Sequence, residues 1–263
     1  MTDLMFSIEH VQYVLLMFVR ISTMIALLPI FGAPYIPLLV KAALSLILSF
    51  VLFATVLASG LPAMPAHFSM GMFILLVFKE AMVGLAIGFV ASFLFTAVQF
   101  AGRLIDTEMG FGFVELADPF TNEQVTALGQ FQIILFTILF LLFNGHYFLL
   151  LAMSKSFELI PLMGAQFPAG ALSEHITLMI SDIFVVGLRL SAPIFVTLLL
   201  TEISMGIIAR TVPQINIFFV GLPMKVLLGL STLFIALPML ASMFRRMVNG
   251  LVEDIWTLLY LMA

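Results

Sequence analysis

Hydrophobic residues run along this chain in six long blocks, separated by short polar or turn-rich punctuation. The first block is Val11–Leu28, interrupted only by Arg20, and it stops at Pro29 and the stretch Phe31-Gly32-Ala33-Pro34-Tyr35-Ile36-Pro37. The second is Ala42–Ala58, closed by Gly60, Pro62 and Pro65, and the third is Met70–Phe100, carrying Lys79 and Glu80 side by side. The fourth lies between Glu123 and Lys155 and holds no charged residue. The fifth covers about Ile176–Ala209, with Asp182, Arg189 and Glu202 inside it, and the sixth covers Ile217–Phe244, with Pro223, Lys225 and Pro238.

Blocks this long and this apolar predict membrane helices, since roughly 20 residues cross a hydrocarbon core of about 30 Å. The third to fifth exceed that need; at about 1.5 Å per residue the fourth could reach roughly 45 Å. Such helices must tilt, bend into hairpins or project beyond the bilayer. Pro193, Pro223 and Pro238 each remove a backbone donor within an apolar run. The carbonyls so freed need partners inside protein, which favours helices packed on several sides over a simple lipid-facing bundle.

Two polar connectors stand out. Gly102–Gln124 has one basic residue, Arg103, against Asp106, Glu108, Glu115, Asp118 and Glu123. Phe157–His175 holds Pro161, Gly164, Pro168 and Gly170 and reads as a loop or short broken helix.

Composition fixes the solvent. The chain is 63% hydrophobic and 9% charged, with mean hydropathy +1.25, far from the balance of a water-soluble domain. The fold class that follows is all-α and polytopic, with lipid as a main surrounding. The absence of cysteine removes disulfides, thiolate catalysis and Cys-based metal sites. A formal net charge of -4 offers no basic stripe for nucleic acid. Asp3 and Glu9 stand where a secretory signal needs a basic region, so the first block reads as a retained helix. With six crossings, Lys41, Arg103 and Arg210 fall on one side and Lys155, Arg245 and Arg246 on the other. That balance leaves the positive-inside rule without an answer.

Catalytic chemistry has little support. His10, His67, His146 and His175 do not pair at helical zinc-ligand spacing, and no HExxH, phosphate-binding loop or GxSxG motif occurs. The reading is therefore of a protein that is not an enzyme and takes no cofactor or metal.

Charged residues within the apolar blocks remain: Arg20, Lys79, Glu80, Asp182, Arg189, Glu202 and Lys225. Such groups are costly in lipid and are functional candidates by default. Two readings stay open, structural interhelical ion pairs or an ion route such as a secondary transporter would use. Asp182 and Arg189 share a helix face two turns apart, too far to pair directly. Gly84, Gly88, Ser92 and Thr96 form a small-residue ridge that lets another helix approach closely, within the chain or from a partner. Met109, Phe111 and Phe113 alternate with Gly110 and Gly112 between acidic flanks. Such a loop either folds back on its own helices or plugs a pore with apolar groups.

These words, in order, resemble a known family. Arg20, Pro29-Ile-Phe-Gly32, Ile36-Pro37, Lys41, Lys79-Glu80 with Gly84 and Gly88, Ala101-Gly102, Asp106, the Gly110–Gly112 loop, Asp118-Pro119, Asn144-Gly145-His146 and Ser156 with Pro161 are similar to the FliR family. The most specific piece is Pro213-Gln214-Ile-Asn216-Ile-Phe218-Phe-Val-Gly221-Leu-Pro223-Met-Lys225. The resemblance covers about Arg20 to Leu240. It implies one membrane-embedded subunit, with about 1–170 packing like FliP and about 171–263 like FliQ. It implies a place in a helical hetero-oligomer with FliP-like and FliQ-like subunits, neighboured by FlhB and FlhA. That assembly is the flagellar type III export gate of the bacterial inner membrane and basal body, through which unfolded flagellar subunits pass. The family's plug loop falls on Asp106–Asn122 here, with Met109, Phe111 and Phe113 as sealing side chains.

Overall fold

A computed structural model describes residues 8–59, except 29 and 34, together with 69–111, 127–214 and 216–263. Among these residues the regular structure is all helix, without strands: α1 (Ile8–Leu27), α2 (Leu38–Ser59), α3 (Met70–Met109), α4 (Ala127–Leu142), α5 (Gly145–Leu159), α6 (Ala169–Thr211) and α7 (Ile217–Met262). Five of these helices are long and apolar enough to cross a membrane, or six spans if the interrupted pair α4 and α5 counts as one. The chain is thus an all-α polytopic membrane protein.

Four boundaries differ from the reading of the sequence. The uncharged fourth block is two helices, because Asn144 sits in the left-handed region with φ 59°. Asparagine tolerates that conformation better than most residues. The break leaves little unsatisfied: Phe143 N donates to Leu139 O, and Asn144 O accepts from Tyr147 N and Phe148 N. The polar stretch from Gly102 begins as helix, since α3 continues to Met109 before Gly110 turns the chain with φ 90°. The connector Phe157–His175 is non-helical only between Ile160 and Pro168. There α6 starts directly after Pro168, whose carbonyl accepts from Leu172 N. Neither Pro193 in α6 nor Pro223 and Pro238 in α7 ends its helix. The sixth block is also longer than its apolar core, α7 running on past Arg245 and Arg246 to Met262.

The chain divides into two compact units. The first comprises 1–93, 144–179 and 249–263, and the second 94–143 and 180–248. The boundaries fall within α3, α6 and α7, so each of these helices gives one part to each unit. This is a division by compactness, different in kind from the family likeness of 1–170 and 171–263.

In the first unit α1 presents Tyr13, Leu16, Met17, Ile21 and Met24 to the interior at helical spacing. It packs on α2 across a turn held by Gly32, whose carbonyl takes a 2.7 Å hydrogen bond from Lys41 Nζ. A side chain at Gly32 would collide with the Ala26 and Leu28 carbonyls. Ser45 and Ser49 of α2 are buried with their hydroxyls returned to the carbonyls four residues earlier. In the second unit Phe95, Phe136, Phe140 and Phe244 form an aromatic cluster, with Phe136 centred 4.8 Å from Phe95 and 4.6 Å from Phe244. Edge-to-face contacts of this kind add to the burial of the rings themselves.

Candidate functional site

Of the charges placed in apolar blocks, two meet at the centre of the first unit. Arg20 of α1 and Glu80 of α3 are 1% and 0% exposed, and Arg20 Nε donates to Glu80 Oε2 at 2.5 Å. Of the rest of the guanidinium, one nitrogen reaches backbone and the other, Nη2, is buried without a hydrogen-bond partner among the described residues. Its Nη1 donates to Ser156 O and Ile160 O, both at 3.0 Å, and its Cζ lies 4.4 Å above the Phe157 ring. Both carbonyls stand at the C-terminal end of α5, Ser156 O also accepting from Ile160 N, and there the negative end of the helix dipole favours a cation. The second carboxylate oxygen of Glu80 accepts from Met163 N at 3.0 Å, in a turn where Met163 has φ 72°. One buried pair therefore fastens α1, α3, the end of α5 and the turn after it. Further along that turn, Gln166 N donates to Met262 O at 2.9 Å.

The small-residue ridge explains how α1 and α3 come close enough. A side chain at Gly84 would collide with the Arg20 carbonyl and the Thr23 hydroxyl, and one at Gly88 would stand 2.8 Å from Leu27 Cβ and 2.9 Å from Met24 O. Gly84 and Gly88 are buried against α1 in the same chain; Ser92 is half-buried and Thr96 exposed.

The other candidate residues belong to the second unit. Met109 is fully buried. Its terminal Cε methyl fills the notch left by the missing side chain of Gly229, where any Cβ would overlap it. In this arrangement Met109 is an interior anchor. A long thioether suits such an irregular gap. Gly110 follows against Leu222, 3.5 Å from the position of a Cβ. Gly110 N donates to Thr107 O and Phe111 N to Asp106 O, the paired bonds of a glycine-ended helix. Phe111 is half-buried, while Gly112 and Phe113 lie outside the described residues. Asp106 Oδ2 accepts from Gly129 N at 3.0 Å, setting a carboxylate in the first turn of α4 where the dipole favours it. The two helices touch closely there, since a Cβ on Gly102 would be 3.1 Å from Gly129 Cα.

The late motif builds the α6–α7 turn. Pro213 and Gln214 occupy the turn after Thr211, and Asn216 stands at the start of α7 with its carbonyl accepting from Phe219 N and Val220 N. Asparagine is a favoured residue there. The side chain of Phe218 lies outside the described residues, Gly221 is buried and Pro223 is exposed. Lys225 Nζ is 3.3 Å from Glu202 Oε2, joining the end of α6 to the start of α7. Asp182 and Arg189 are exposed on α6, and Lys79 is half-buried on α3.

Sequence reading does not single out Phe157, Gly129, Gly187 or Gly229. Gly187 lets α6 rest on Phe100, a Cβ there being 2.5 Å from its ring. An isolated glycine in an apolar run carries no sign of which helix will lie over it. Among the described residues no group of three histidine or acidic side chains gathers as metal ligands.

The family described as bacterial export proteins, family 1, matches residues 11–251. The chain is 32% identical over 251 residues to a flagellar biosynthetic protein FliR of Bacillus subtilis, covering 95% of each chain. It is 30% identical over 222 residues to the protein of that name from Escherichia coli, covering 84% of this chain and 83% of the relative. The Pectobacterium carotovorum protein of the same name is 30% identical over 249 residues, with 91% of each covered.

Proposed function

This chain belongs to family 1 of the bacterial export proteins, and from that footing we propose that it is a non-catalytic subunit of the flagellar protein-export gate in the bacterial inner membrane. The observation that carries this reading is the match to flagellar biosynthetic proteins along nearly the full length of both chains. The architecture agrees with a subunit meant to be surrounded. Large apolar side chains stand exposed along α6 and α7, among them Leu188, Val196, Leu200, Ile207, Leu227 and Ile235. The partners are FliP-like and FliQ-like subunits, with about 1–170 packing as the former and about 171–263 as the latter. FlhB and FlhA are further neighbours, and unfolded flagellar subunits are the cargo.

The Arg20–Glu80 centre gives the subunit a fixed frame, and the segment after α3 supplies the closure. Met109 anchors that segment in the interior, and Phe111 and Phe113 crowd the closed passage with apolar groups. Gly84 and Gly88 serve packing within the chain. Against the secondary-transporter reading stands one contact set, Glu80 being bound to Arg20 and Met163.

Native mass spectrometry of the tagged chain, co-expressed with its FliP and FliQ counterparts, tests the proposal. A hetero-oligomer holding one copy of this chain is expected; a monomer or homodimer indifferent to both partners overturns it.

A further inference from the structure

Asp182, Val185, Arg189, Ala192, Val196 and Leu199 are all exposed on α6, in steps that alternate between three and four residues. That alternation is the seam by which one helix lies along another at a shallow crossing angle. The opposite face of α6 is already used, with Leu190, Ile194 and Leu198 buried. The stripe is therefore a second face on a helix that its own unit already holds.

Two opposite charges sit within this stripe, and among the described residues neither joins an ion pair. They are two turns apart, about 10 Å along the axis. No simple solvent suits such a face. In lipid the carboxylate and guanidinium are expensive; in water, Val185, Leu188, Val196 and Leu199 expose a continuous apolar patch. An apolar helix with a basic group level with Asp182 and an acidic group level with Arg189 satisfies both halves.

We propose that this stripe is the docking seam for one membrane helix of a different subunit, carrying a basic and an acidic residue two turns apart. The proposal rests on the reading of the chain as a hetero-oligomeric gate subunit and specifies one neighbour. A second copy is a poor match. Two copies inserted in the same direction and related about the membrane normal would set Asp182 against Asp182 and Arg189 against Arg189, and like charges in register oppose association.

The test places a photo-cross-linking amino acid at Val185 or Val196 of the full chain, co-expressed with its FliP and FliQ counterparts, and follows assembly by native mass spectrometry. Both positions are expected to label the same helix of one other subunit, with the two charges at the required spacing. The swap of Asp182→Arg with Arg189→Asp is expected to lower complex yield about tenfold, because it sets like charges face to face. Exchanging the two matching residues in the partner is expected to restore it. Labels on lipid, on a second copy or on a helix without those charges overturn the proposal, as does an unchanged yield in the swap. The cross-links of the unswapped chain decide even where the swap folds poorly. A chain that forms no hetero-oligomer overturns the functional reading and this proposal together; an intact hetero-oligomer with a silent seam overturns this proposal alone.

Discussion

Arg20 and Glu80 stand sixty positions apart in sequence and 2.5 Å apart in the fold, both shut away from solvent. Removing one member strands the other, which costs about 3–5 kcal/mol in buried pairs of this kind. Arg20→Met and Glu80→Met are each expected to lower the melting temperature in detergent markedly, with the double variant less damaged than the sum. Additive losses would show that the two side chains act independently. Arg20→Lys is expected to rescue poorly, because an ammonium cannot reach Glu80 and two carbonyls with one planar fork.

Gly84 bears directly on the same centre. Even Gly84→Ala puts a methyl against the Arg20 carbonyl, so the helices must separate and the guanidinium must move with α1. Limited proteolysis of the first unit is expected to accelerate in Gly84→Ala and more so in Gly84→Leu. Unchanged digestion would show that α1 and α3 can part at no cost to the unit.

Anchor and seal are separable at the end of α3. Met109→Ala empties the notch beside Gly229 and is expected to cost about 2–5 kcal/mol of stability, as cavities left by large-to-small changes do. Phe111→Gly with Phe113→Gly is expected to leave the melting temperature nearly unchanged and to raise ion leakage through the assembled gate. Leakage from Met109→Ala without loss of stability would reverse the two roles.

Asn144 offers a local test. Its φ of 59° admits glycine freely and penalises β-branched side chains by about 1–2 kcal/mol. Thermal melts are expected to place Asn144→Gly near the unmodified chain and Asn144→Val clearly below it. Equal melts for both would mean the backbone there adopts another conformation at little cost.

The sequence shows where its helices are far better than how they are joined. Six apolar blocks are plain because lipid demands long uninterrupted hydrophobic runs, and each block does contain helix. The break at Asn144 is hidden, because a single left-handed residue needs no proline, glycine or charge to announce it. Arg20 and Glu80 are conspicuous one at a time, since each is an ionisable group in an apolar run. Their union is invisible, because nothing local records a contact across sixty positions, nor that Nη1 of Arg20 would go to carbonyls at Ser156 and Ile160. Met109 reads as a loop residue beside Gly110, yet the notch that receives it is made by Gly229, far along the chain. Spacing alone did separate Asp182 from Arg189, since one helix fixes the distance between them.

The Arg20 cluster also sets a timetable for biosynthesis. Its carbonyl partner at Ser156 lies 136 residues downstream. At roughly 5–20 residues per second of translation, α1 waits on the order of ten seconds or more with its guanidinium unmatched. Glu80 arrives about midway and neutralises the charge, and the end of α5 adds its two carbonyls later. The earliest of these helices to leave the ribosome is thus among the last to be finished.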